Sequence, residues 1–158
     1  MKKLVLGVTL TSALLFGGNL DNGMNYLNNG ENQKAFAEFQ KLAQSGDIDA
    51  ATMLGEMYLD GIGVQQDNKK AYYWIQKAAN EGDKEAQYLL GFMYENGIEV
   101  KEDMAQAVIW YEKAANKGDI MAMYNLAFIY KNGAKGVKKD IQKAVMLMSE
   151  VEEKKDGV

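Results

Sequence analysis

Apolar side chains recur along the chain at the spacing of an α-helix. Between residues 84 and 119 two such runs follow each other, and each places its apolar members on one face of a helix. The first run consists of Ala86, Leu90, Met93 and Tyr94. The second begins near Asp103 and consists of Ala107, Trp110, Ala114 and Ala115. The pattern therefore predicts two consecutive helices, each with one buried face.

This two-helix pattern repeats along the chain. Residues 48–83 align without a gap on residues 84–119, with a period of 36. A third copy, residues 120–147, has one inserted residue near Ala134 and a degenerate second helix, in which Leu147 takes the place of Trp110. A shorter copy is predicted at 18–47 and a charged C-terminal tail at 148–158. Tandem copies of this length indicate a repeat architecture.

The predicted helix ends have residues suited to them. An aspartate precedes each second helix, where its side chain can accept hydrogen bonds from free backbone N–H groups; these are Asp67, Asp103 and Asp140. A Gly-Asp pair joins consecutive repeats, the glycine ending one helix and the aspartate capping the next; the pairs are Gly46-Asp47, Gly82-Asp83 and Gly118-Asp119. Gly55 and Gly91 fall inside predicted helices, which indicates close approach of the paired helix.

The repeated string LGxMYxxGxxVxxD, continued by A-x2-W-x2-KAA-x2-GD, resembles the Sel-1-like repeat family, a relative of the tetratricopeptide repeats. The chain departs from the pattern at Glu99, where the preceding repeat has Gly63, and in the third repeat, which lacks the tryptophan and the KAA. The resemblance implies an all-α fold, a right-handed α-solenoid of tandem antiparallel helix pairs. It also implies an adaptor role.

Four residue types are absent from the chain: Cys, Pro, His and Arg. Without Cys and His the common ligands of zinc, copper and haem are missing, so we expect no metal and no cofactor. Without Arg, and with a net charge of -4, binding of a polyanion is disfavoured, and we expect no nucleic-acid partner. The composition otherwise favours helix.

Candidates for catalysis are few. Beyond the N-terminal segment the hydroxyl nucleophiles are Ser45, Thr52 and Ser149, and no histidine can activate them; Thr52 is predicted on an exposed helix face. Glu56 and Glu95 both lie on first helices, as a glycosidase pair would require, but chance pairs are expected in a chain with 25% charged residues. We therefore predict that the protein is not an enzyme, with an envelope hydrolase as the weakest alternative.

The N-terminus has the character of an export signal. Lys2 and Lys3 precede an apolar run from Leu4 to Phe16, which ends at small Gly17. This run is shorter than the roughly 20 residues that span a bilayer, so residues 1–17 are predicted to be a cleavable signal peptide. The mature protein is then expected to be bacterial, periplasmic or secreted, without an integral membrane span.

Some aromatic residues fall on the side of the first helices opposite the predicted core. Tyr88 and Phe92 lie there in one repeat, and Tyr124 and Phe128 in the next. Because the resemblance places first helices on the concave surface, these four are predicted to line a binding groove, extended by Met121 and, in the short repeat, by Met24 and Leu27. Neighbouring loops could instead cover them. Other aromatic residues are predicted to be core, namely Tyr58, Tyr94, Tyr130, Trp74 and Trp110.

Taken together, these features predict an exported module that binds a protein or peptide in its groove. An inhibitor or immunity-type protein that blocks a toxin or hydrolase is the alternative. The sequence does not separate the two, because both would use the same kind of surface.

Overall fold

The computed structural model describes residues 20–156, so the predicted signal peptide lies outside the described residues. Within them regular structure is helical, apart from an isolated bridge between Ala134 and Val137. The helices are α1 (Leu20–Asn28), α2 (Asn32–Gln44), α3 (Ile48–Asp60), α4 (Asn68–Glu81), α5 (Lys84–Asn96), α6 (Met104–Asn116), α7 (Ile120–Asn132) and α8 (Ile141–Asp156). The predicted all-α class, built from tandem helix pairs, is confirmed.

The predicted helix caps are present. Asp83 precedes α5 and its carboxylate accepts a hydrogen bond of 2.7 Å from the backbone N–H of Ala86. The same contact, to the N–H three residues ahead, is made by Asp47, Asp67, Asp103, Asp119 and Asp140. Each of these side chains satisfies one donor that the first turn leaves unpaired.

The described chain forms two compact units, with the boundary inside α4 between Trp74 and Ile75. In the first unit α2 packs against both α1 and α3. Gly23 of α1 faces Phe39, whose ring would lie 2.5 Å from a Cβ at that glycine, so any side chain there would separate the two helices. Phe39 is fully buried, and Phe36 meets Tyr58 edge to face with ring centroids 5.2 Å apart.

In the second unit α6 packs against α5 and α7, and α7 packs against α8. The buried residues of these helices form one core, drawn mainly from α6 and α7 and completed by Ala144 and Val151 of α8. The predicted tail at 148–158 is therefore wrong as a separate segment, because α8 continues through it to Asp156. Val151 anchors this part of α8, since its side chain is fully buried despite the charged residues around it.

The loop after the first helix of a repeat contains a residue whose backbone is in the left-handed region, with positive φ. Gly63 has φ 69° there, and its α-carbon lies so close to the backbone of Asn32 that a Cβ would clash. Glu99, at the same place in the next repeat, has φ 59° and is the one non-glycine residue with positive φ among the described residues. The departure from the repeat pattern thus keeps the loop conformation at a backbone cost for an L-residue.

Candidate functional site

Five of the predicted groove residues lie in the second unit, on α5 and α7. We call Tyr88, Phe92, Met121, Tyr124 and Phe128 the aromatic strip. Phe128 is 69% exposed, more than any other large apolar residue described, and Met121 is 55% exposed. Both are on α7, seven residues apart, so they lie on the same face of that helix. This end of the strip is open to solvent.

The other three members of the aromatic strip are half-buried and pack against the core. The Tyr88 ring lies 5.6 Å from the ring of Tyr111, which is fully buried. Burial raises the pKa of the Tyr88 hydroxyl above its ordinary value. Tyr88 is thus partly covered by the adjacent helix α6 rather than by a loop.

Tyr124 is held by the end of α8. Lys155 donates a hydrogen bond to the Tyr124 hydroxyl, and its ammonium also lies 5.0 Å from the centre of the Tyr124 ring. The end of α8 therefore borders the aromatic strip, and it places a positive charge there. Met24 and Leu27 belong to the first unit, where both are half-buried on α1, and their part in a binding surface stays a prediction.

The predicted core positions of Trp74 and Trp110 are wrong. Both side chains are only half-buried, and the residues that follow them, Ile75 and Tyr111, are the ones with no exposed surface. Gly91 explains this in α6, because a Cβ there would lie 2.7 Å from the Tyr111 ring. Because Gly91 has no side chain, the Tyr111 ring fits between α5 and α6. Trp110, the preceding residue, then lies at the side of α6, where the Lys113 ammonium is 3.5 Å from the centre of the indole ring.

Tyr111 also makes a polar contact inside the core. Its hydroxyl donates a hydrogen bond of 2.5 Å to the carboxylate of Glu95. Burial, together with this carboxylate, holds the pKa of the hydroxyl well above its ordinary value. Glu95 is therefore engaged in helix packing, which weakens the case for it as half of a catalytic pair.

A polar cluster not anticipated from the sequence joins α6, α7 and α8. Lys143 donates to the Glu112 carboxylate at 2.6 Å and to the Tyr130 hydroxyl at 2.9 Å, while Tyr130 donates to Glu112 at 2.7 Å. Burial alone would raise the pKa of Glu112, but the hydrogen bonds from Lys143 and Tyr130 outweigh it and lower the pKa. The three residues are far apart in sequence, and of the three only the tyrosine recurs in both preceding repeats, as Tyr58 and Tyr94, so only their spacing in three dimensions reveals the cluster.

The candidate nucleophiles are engaged with the backbone. Thr52 was predicted on an exposed face, but it is 2% exposed and donates to the carbonyl of Ile48 at 3.3 Å. Thr52 is buried because the core face of α3 is wider than the apolar spacing indicates. Ser45, which follows the end of α2, donates to the carbonyl of Leu42, and Ser149 of α8 donates to the carbonyl of Val145. In residues 20–156 there is no group of three or more acidic side chains placed to hold a metal ion.

The same range contains no helix that is both long and apolar enough to cross a lipid bilayer.

Two solved structures resemble the fold. One is a protective antigen present in uropathogenic Escherichia coli strains that displays an SLR fold, with a TM-score of 0.80 and 30% identity over 87% of this chain and 31% of that chain. The other is a Sel1 repeat protein from Oxalobacter formigenes, with a TM-score of 0.79 and 33% identity over 85% of this chain and 55% of that one.

This chain therefore spans only part of the length of either protein. No curated protein sequence matches it at a significant level. The family model for the Sel1 repeat matches residues 48–83, 84–119 and 120–150. Because these three consecutive matches cover more than half of its residues, the chain belongs to the Sel1 repeat family.

Proposed function

We propose that this protein binds another protein or a peptide through the aromatic strip. Sel1 repeat proteins are generally protein–protein interaction modules, and their fold is generally a non-catalytic scaffold. The proposal for this chain rests on one observation. Phe128 and Met121 are exposed on one face of α7, while the opposite face of that helix is buried in the core. An exposed aromatic and a methionine on one face are typical of an interaction site.

The composition of the aromatic strip indicates what it binds. Its exposed end is apolar, and the half-buried rings of Phe92 and Tyr88 lie on the preceding first helix. A partner segment with two or three apolar side chains, extended or helical, would cover Phe128 and Met121 and remove them from water. The lysine ammonium beside Tyr124 favours an acidic or polar residue at that edge of the partner.

Capture of a partner from cell-envelope extract tests the proposal. We expect the chain to retain a specific protein, and the double variant Met121→Ala, Phe128→Ala to lose it. Tyr73→Ala is the matched control, because Tyr73 is an aromatic residue of similar exposure, 59%, outside the aromatic strip. If the double variant retains the partner as well as the control does, binding uses another surface.

We further propose that the protein is exported, and that it acts without catalysis in the periplasm or outside the cell. The support is the sequence of residues 1–17, with two lysines followed by a short apolar run. N-terminal sequencing of protein from each cell fraction tests this. A mature chain that begins near Gly18 in the envelope or medium is expected, and an intact Met1 on cytoplasmic protein would contradict export.

A further inference from the structure

A second apolar surface lies on α8, away from the aromatic strip. Ile141, Val145 and Met148 are 47%, 59% and 37% exposed. They follow each other at intervals of four and three residues, so they form one line along the helix. We call them the α8 stripe. The core contact of α8 with α7 is made beside this line, by Ala144, Leu147 and Val151.

The repeat register shows what this line of positions does elsewhere. After the one-residue insertion, Val145 and Met148 correspond to Val108 and Tyr111 of α6. There the two side chains are 7% and 0% exposed, within the core of the second unit, where Tyr111 packs against Gly91 of α5. The α8 stripe thus keeps the apolar character of positions that are covered by neighbouring helices one repeat earlier.

The charges around the α8 stripe differ between its two ends. Three exposed lysines and Asp140 precede the helix, and its second half carries three exposed glutamates followed by Lys154 and by Lys155, which is bound to Tyr124. The lysines are Lys135, Lys138 and Lys139, and the glutamates are Glu150, Glu152 and Glu153. Another copy of α8 laid antiparallel brings the lysine end of each helix to the glutamate end of the other. A parallel copy would bring like charges together.

We propose that a second copy of this chain covers the α8 stripe, in a two-fold symmetric antiparallel pair of α8 helices. With Val145 on the axis, the segment that precedes α8 in one copy approaches the second half of α8 in the other, so Lys138 and Glu152 can form the same pair twice. Ile141 and Met148 pack on either side of the axis. Such an interface is self-complementary, as a two-fold dimer requires. It is separate from the aromatic strip and does not depend on the function proposed for it.

Sedimentation velocity of the whole chain gives the first test. We expect a concentration-dependent species of twice the chain mass, and loss of that species in Val145→Glu. Met146→Glu is the matched control, because Met146 is 64% exposed and lies on α8 outside the stripe. Circular dichroism of both variants checks that they fold. A wild-type chain that stays monomeric at its highest soluble concentration, or a dimer that survives Val145→Glu, would overturn the proposal.

Two further variants test the antiparallel arrangement. Because the chain has no cysteine, Val145→Cys introduces a single thiol on the proposed axis. We expect it to form a disulfide-linked dimer much faster than Met146→Cys under the same oxidation; equal rates would indicate random collision and overturn the pairing.

A charge exchange tests the ends of the helices. The variant Lys138→Glu, Lys139→Glu and the variant Glu152→Lys, Glu153→Lys should each be monomeric alone. Mixed together they should form a heterodimer, because each then supplies the charge that the other has lost. A mixture that stays monomeric would contradict the antiparallel charge pairing.

Discussion

At the scale of single residues, the small side chains decide where the large ones are placed. Gly91 of α5 leaves space that the ring of Tyr111 fills, and Gly23 of α1 does the same for Phe39 in the first unit. A glycine inside a helix costs about 1 kcal/mol relative to alanine. The buried ring offsets this cost through the apolar area that it removes from water. The choice of Tyr111 over Trp110 as the core residue follows from this contact.

We therefore expect Tyr111→Ala to destabilise the protein by about 3–5 kcal/mol, because it leaves a ring-sized cavity in the core. Trp110→Ala should lower the free energy of unfolding by less than about 2 kcal/mol, since the indole is only half-buried and the Lys113 ammonium lies over its ring. Urea unfolding of the two variants measures the difference. Equal destabilisation would mean that Trp110 is as much a part of the core as Tyr111.

A second prediction concerns Glu99, which holds φ 59° where the preceding repeat has Gly63. Glu99→Gly should stabilise the protein by about 0.5–1 kcal/mol, because relief of the left-handed strain exceeds the entropy that glycine adds to the unfolded chain. Glu99→Ala is the control, since alanine keeps the strain and should not stabilise. Thermal unfolding of both variants gives the comparison; a lower midpoint for the glycine variant would show that the Glu99 side chain contributes more than the strain costs.

The residue positions show how far the sequence could predict the site. Spacing alone places Tyr88, Phe92, Tyr124 and Phe128 opposite the predicted core, but only Phe128 is exposed and the other three pack against the core, because burial depends on how neighbouring helices are rotated. Trp110 and Tyr111 are adjacent and both large, so apolar periodicity does not choose between them. The choice depends on Gly91, a residue on another helix, whose position inside a helix indicates only that the paired helix approaches closely.

At the scale of helices, apolar contacts that recur in each repeat hold neighbouring helices together. A polar cluster adds to these contacts where α6, α7 and α8 meet. Glu112 of α6, Tyr130 of α7 and Lys143 of α8 meet through three hydrogen bonds. This cluster ties the degenerate second helix to the helices before it.

The cluster predicts a pH dependence. Since the folded pKa of Glu112 is lowered, its contribution to stability is present above the unfolded value of about 4.3 and is lost as the pH falls through the folded pKa. The pKa of Lys143 is raised: burial lowers it, but the hydrogen bond to Glu112 outweighs this. Its contribution is therefore complete below the unfolded pKa and is lost as the pH rises through the folded one.

Urea unfolding of the wild type and of Glu112→Gln tests this dependence. Because the Lys143 and Glu112 side chains are 43% and 37% exposed, we expect Glu112→Gln to cost less than about 1 kcal/mol at neutral pH. The difference between the two proteins should shrink as the pH is lowered to about 3, below the ordinary carboxylate range. A difference that stays constant with pH would mean that the glutamate acts only through its size and neutral hydrogen bonds.

At the scale of the whole molecule, the repeat made the fold predictable. Each copy carries the same caps and apolar stripes, so an ambiguous element in one repeat is resolved by its counterpart in the next. The full length of α8 is not predictable in the same way, because residues 148–156 have no matching KAA and their charges resemble a tail. Val151 and the contact of Lys155 with Tyr124 anchor this segment, and neither a single valine nor a lysine near the end of a charged run is a strong signal in a sequence.

The last prediction separates binding from stability within the aromatic strip. Phe128→Ala should leave the unfolding midpoint nearly unchanged, because the ring is 69% exposed, whereas Tyr88→Ala should lower it, since Tyr88 is half-buried and packs against Tyr111. If Phe128 is an anchor for the partner, its loss should weaken binding by about fivefold or more, as a residue worth over 1 kcal/mol would. Thermal unfolding and partner titration on both variants give the two quantities. A Phe128→Ala protein that melts as early as Tyr88→Ala would place Phe128 in the core, and one that is stable and binds normally would place the partner elsewhere.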